Sequence, residues 1–148
     1  MTNLPHGFQE QLTSAVSTAL ERMAFMVGEP TEEVSGAVHH SSCIALKVDD
    51  VPYRVCVRAT DGALQELLNG LIDTETFDDA EAQLAANELA NVLGGEVLRL
   101  LGGDRLPSKL GLPEEGATTG GAAETVRCVL DFLGETLEVS VGVIGGRA

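Results

Sequence analysis

A glutamate and an asparagine three residues apart, Glu88 and Asn91, interrupt the aliphatic run QLAANELANVLGGEV at 83–97. At about 100° per residue, Leu84, Glu88, Asn91 and Gly95 fall on one stripe of a helix, with spacings of four, three and four. Ala82, Ala86, Leu89, Leu93, Val97 and Leu100 form a broad apolar stripe on nearly the opposite side. The pair either marks a surface that another chain approaches or is ordinary exposed helix decoration, and a Glu and an Asn three residues apart do not by themselves separate the two. Gly95 sharpens the question. A glycine inside a helix costs about 0.5–1 kcal/mol relative to alanine, and here it removes bulk beside Asn91. Leu84 adds an apolar member suited to a contact surface.

The helix that must position these side chains runs from about Asp78 to Leu101, with Asp78 or Asp79 as its N-cap and Gly102-Gly103 as its end. An earlier helix is expected over 8–27, where Phe8, Leu12, Ala15, Val16, Ala19, Met23 and Met26 recur at helical spacing, stopped by Gly28 and Pro30. SCIALKV and YRVCVR read as two strands linked by DDVP, with Tyr53, Val55 and Val57 on one face. A short helix over 61–72 follows, capped by Thr60 or Asp61, and DTETF links it to the long helix. Residues 102–124 read as loop. TVRCVLDF and TLEVSVGV, joined around LGE, form a closing hairpin. The expected class is α+β, with helices packed on an antiparallel sheet.

The order of elements suggests an internal repeat. Shifting the chain by 67 places Glu21 on Glu88, Ala24 on Asn91, Gly28 on Gly95 and Glu29 on Glu96. The approximate copies are 8–59 and 78–145, within a single domain. The first copy has Ala24 where the second has Asn91.

Composition narrows the function. A length of 148 residues suits one domain, and with only 3 % aromatics and no tryptophan its core must be aliphatic. The formal net charge of −14 argues against nucleic acid and against an anionic membrane surface, while leaving a basic docking partner possible. The N-terminal MTNLPHGFQEQL lacks the basic and apolar regions of a signal peptide, and no apolar run approaches a membrane span. Cys43, Cys56 and Cys128 lie in apolar, strand-like runs and are expected to be reduced residues of a cytoplasmic protein. His39 and His40 with Cys43 are poor metal ligands, because neighbouring strand residues point to opposite faces. The acid pairs Glu32-Glu33, Asp49-Asp50, Asp78-Asp79 and Glu114-Glu115 fall at element ends, as caps and solvated turns do. No P-loop, dinucleotide fingerprint, nucleophile elbow or H-E-x-x-H motif is present.

NELANVLGGEV resembles the signature of the CheC/CheX family of chemotaxis phosphatases, closest to CheX: a Glu, two residues, an Asn, then a small glycine-containing segment on the same helix. The layout of helix, strand pair, short helix, long helix and final hairpin is similar as well. The resemblance implies a phosphatase that hydrolyses the phospho-aspartate of a CheY-type response regulator. Asn91 would enter the receiver's site and orient the attacking water, and Glu88 would pair with a receiver lysine. Leu84, Asn87 and Gly95 would line the contact. It also implies a cytoplasmic homodimer with no cofactor of its own, the Mg²⁺ being supplied by the receiver, and an inactive first copy. CheC-type members often carry Asp or Ser where this chain has Leu84, and a Pro that Pro113 only approximately matches. The rival reading is a non-enzymatic module that binds a receiver or flagellar-switch partner through the same helix.

Overall fold

The computed structural model describes residues 4–32, 34, 40–71, 78–115 and 122–144. Its elements, in order, are α1 (Phe8–Ala24), β1 (Glu29–Thr31), β2 (His40–Val48), β3 (Val51–Ala59), α2 (Asp61–Leu71), α3 (Asp79–Leu100), β4 (Ser108–Leu110), β5 (Glu114–Glu115), β6 (Ala122–Phe132) and β7 (Glu135–Ile144). All the strand pairs are antiparallel. The sheet order is β1-β6-β7-β3-β2-β4, with β5 pairing the same β2 as β4. The fold is α+β.

Two-residue turns set the register of the long hairpins. Val48 pairs Val51 across Asp49 and Asp50, both with positive φ. Phe132 pairs Glu135 across Leu133 and Gly134, which also have positive φ. Paired left-handed residues give a turn whose twist matches the flanking strands, and Asp and Gly tolerate it best. The first link is therefore Asp49-Asp50 alone, and Val51 and Pro52 already belong to β3.

The register sorts side chains by face. Ile44, Leu46, Val55, Val57, Leu130, Leu137, Val139 and Val141 point inward and meet Leu12, Val16, Leu20, Leu64, Leu67, Leu89 and Leu93 from the three helices in one core. The opposite face is polar. There Glu138 is buried between Arg58 at 3.2 Å and Arg127 at 3.0 Å, so its desolvation is offset by two charge-assisted hydrogen bonds.

Three further sequence expectations are corrected. α1 ends at Ala24 rather than residue 27, because Phe25 turns left-handed and the amides of Phe25 and Met26 bond back to Glu21 and Leu20, the arrangement that closes a helix without needing glycine. The segment after α3 is not all loop: β4 and β5 pair along β2. Strands of three and two residues are too short to show a period.

The third correction concerns the cysteines. Cys43 and Cys56 stand directly opposite each other on β2 and β3, and their sulfurs are bonded. Apolar surroundings suggested reduced thiols, but the register brings two side chains of one face together, which spacing along the chain does not show. Cys128 is free and buried on the inner face. Burial pushes its thiol pKa up, against a smaller opposing effect of a hydrogen bond with Thr13.

Candidate functional site

α3 holds the candidate site. Asp78 caps it, its side chain accepting from the Glu81 amide at 2.8 Å, and Asp79 and Glu81 place negative charge in its first turn. Ala82, Ala86, Leu89, Leu93 and Val97 are buried as the apolar stripe requires, and Ala85, Ala90 and Gly94 widen it. Leu100 is only half-buried. The helix thus sits on β2 and β3 by small residues along much of its length.

The other stripe faces outward. Glu88 and Asn91 are exposed, and Leu84 is 65 % exposed. The structure brings Leu84, Glu88, Asn91 and Gly95 onto one accessible ridge, a side chain with a neutral amide flanked by a carboxylate and an apolar contact. Such a ridge can enter a cleft, pair with a cation and hold a water.

The two adjacent glycines do different jobs. A Cβ on Gly94 would lie 2.7 Å from Ile44 Cγ2 and 3.2 Å from Leu110 Cδ1, so this glycine lets the helix approach the sheet. A Cβ on Gly95 would meet nothing within 4 Å. Gly94→Val is therefore expected to destabilise the fold by about 1–3 kcal/mol through overpacking. Gly95→Ala is expected to stabilise it by about 0.5–1 kcal/mol through helix propensity. Urea unfolding of both variants checks the contrast, and equal effects would remove the distinction.

A polar network behind the ridge was not legible in the chain. Gln83 Nε2 donates to the Ser41 carbonyl and to Asn87 Oδ1, both at 3.0 Å. Gln83 Oε1 lies 3.4 Å from His40 Nδ1. The Ser41 carbonyl can only accept, so it fixes the amide's orientation, and His40 must donate from Nδ1. His40 Nε2 lies 3.3 Å from Asp61 and 3.7 Å from Asp79, at the starts of α2 and α3. Asn87, proposed from the sequence as a contact residue, is half-buried and tied into this network at its oxygen, which anchors the N-terminal half of α3 to β2. Asn87 reaches β2 only through Gln83, one turn earlier on α3, whose own partners Ser41 and His40 lie on that strand.

Among the described residues, no group of three or more His, Cys, Asp or Glu is arranged to hold a metal ion. His39 lies outside the described residues, and Cys43 is committed to its disulfide. No described helix is long and apolar enough to cross a membrane.

No family model and no curated protein matches the chain. Solved structures do. A CheC-like superfamily protein from Shewanella sp. PV-4 superposes with a TM-score of 0.74 at 15 % identity, covering 96 % of this chain and 100 % of that one. The chain has the CheC/CheX fold. CheX from Vibrio vulnificus matches with a TM-score of 0.70 at 11 % identity, over 88 % of this chain and 95 % of that one. The CheX–CheY–BeF₃–Mg²⁺ complex from Borrelia burgdorferi matches with a TM-score of 0.69 at 16 % identity, over 91 % and 96 %. At these identities the likeness concerns the CheC/CheX fold, and the roles of individual residues rest on the α3 ridge.

Proposed function

We propose that this CheX-like protein is a phosphatase of a CheY-type receiver, in which Asn91 orients the water that attacks the phospho-aspartate and Glu88 fixes the dock. The observation that carries the reading is the exposed Glu88/Asn91 ridge, beside the open Gly95, on the outward face of α3 in a CheC/CheX fold. The Borrelia CheX structure is itself a complex with CheY, which supports a receiver as the partner class.

The chemistry asks little of the added protein. An acyl phosphate is already activated, so placing one water in line is the main remaining task. The water forms the new P–O bond as the bond to the aspartyl oxygen breaks. That oxygen leaves with the electron pair as a carboxylate, and the water's proton departs with the phosphate or to solvent. Asn91 can accept a hydrogen bond from the water without adding charge, whereas a carboxylate there would repel the phosphoryl oxygens. Glu88, on the preceding turn of the same ridge, suits a receiver lysine. The Mg²⁺ that neutralises the phosphoryl charge belongs to the receiver, and the chain needs no cofactor of its own. The reading includes a homodimer with one such ridge per chain.

The strand order supports the repeat of 8–59 and 78–145. It reads alike from both edges when β1, β2 and β3 are exchanged for β4, β6 and β7. The first copy lacks the chemistry: Glu21 is exposed, but Ala24 is buried at the end of α1.

The test is a panel of phosphorylated receivers from the host, followed for accelerated phosphate loss. One or more should decay faster with the wild-type protein. Glu88→Ala should weaken binding to that receiver in its beryllofluoride-activated form by about 10-fold or more, the scale of a lost charge-assisted hydrogen bond. Binding without accelerated decay would make the protein a non-enzymatic receiver-binding module, and binding to no receiver would defeat both readings.

A further inference from the structure

The chain has only two lysines, Lys47 and Lys109, against 23 Asp and Glu. They stand directly opposite each other in the register of β2 and β4. Both are exposed, and neither forms an ion pair within the described residues. Like charges placed directly across a strand pair repel, and in so acidic a chain carboxylates that would relieve them are abundant. A third cation, Arg54, pairs Ala45 two register positions on from the Lys47–Pro52 pair, so it shares the face of Lys47. Between these residues lies an open cavity of about 320 Å³, lined on the same face by Ala45, Pro52 and Ile144.

We propose that this cavity binds a small organic carboxylate with a compact apolar body. Two opposed ammonium groups offer one hydrogen-bond donor centre to each oxygen of a carboxylate. The apolar walls take up the hydrocarbon, and the volume lies at the small end of ligand sites. A bound carboxylate removes the lysine repulsion and so fastens β4 to β2. The next residue of β4, Leu110, packs beneath Gly94 of α3. Occupancy therefore bears on the support of the helix that carries Glu88 and Asn91, although the site itself does not depend on the phosphatase reading.

Octanoate is the probe, titrated calorimetrically into the full chain. One saturable site per chain is expected. Octanol and inorganic phosphate should each bind at least about tenfold more weakly, a difference of about 1.4 kcal/mol. Lys47→Met and Lys109→Met keep the alkyl stems at exposed positions. Each should weaken octanoate by about tenfold or more, while raising the unfolding midpoint of the free protein because the repulsion is gone. The proposal is overturned if octanoate shows no saturable binding, as a site for an acidic protein surface would give, or if either variant binds it as well as wild type. Equal binding of octanol (an apolar sink) or of inorganic phosphate (a bare cationic patch) would overturn it too.

Discussion

Asn91→Ala is expected to lower the rate of receiver dephosphorylation by about 10²–10³-fold, equivalent to about 3–4 kcal/mol of transition-state stabilisation. Binding to the beryllofluoride-activated receiver should stay close to wild type. The split follows from the chemistry. A water in line for attack is held by its hydrogen bonds, and a displacement of about 1 Å costs on the order of 10²-fold. Alanine leaves nothing at that point to hold it, while Glu88 still offers its carboxylate to the dock. Folding should not confuse the result. Asn91 is exposed on a long helix, and alanine is the better helix former by up to about 0.7 kcal/mol. The unfolding midpoint should therefore be unchanged or slightly higher. Asn91→Asp is a sharper control, because it keeps the shape and adds charge next to the phosphoryl oxygens. It too should lose turnover, and binding should weaken as well. Turnover of Asn91→Ala within about twofold of wild type, under half a kcal/mol of barrier, would remove Asn91 from the chemistry.

How much of this was legible in the chain depends on the range of each interaction. The two stripes of α3 were readable because 3.6-residue periodicity is local: Leu89 and Leu93 had to be inside if Glu88 and Asn91 were out. The strands of both hairpins were readable by their alternation. The end of α1 was not, because a left-handed Phe25 carries no compositional mark of the kind glycine provides. β4 and β5 escaped because a strand of two or three residues exists only through the neighbour it pairs with. Gly94 and Gly95 look identical in sequence. They differ because Ile44, fifty positions away in the chain, lies under one and nothing lies under the other. The Gln83 network has the same origin, since Ser41 and His40 reach it only when β2 is laid beneath α3.

The disulfide is the plainest case of such a non-local fact, and it yields the second large expectation. Reducing Cys43–Cys56 should destabilise the fold by about 3 kcal/mol or somewhat less. The two cysteines are 13 residues apart, and a closed loop of that size restricts the unfolded chain by roughly 3 kcal/mol at 25 °C in the chain-entropy model. The loop is also a hairpin with a two-residue Asp49-Asp50 turn, so residual pairing in the unfolded state lowers the gain. Urea unfolding with and without reductant measures the difference. Cys43→Ala/Cys56→Ala is the control, because its midpoint should not respond to reductant at all. Cys128 cannot substitute as a partner: it lies on the core face beneath α1, on the other side of the sheet. A wild-type midpoint indifferent to reductant would mean that the pairing of β2 with β3 is held by its ladder and by Ile44, Val55 and Val57 alone. A drop seen only in the wild type would assign the stabilisation to this bond. Because Ile44 lies next to Cys43 and under Gly94, loss of the bond would be felt first where the ridge-bearing helix rests on β2.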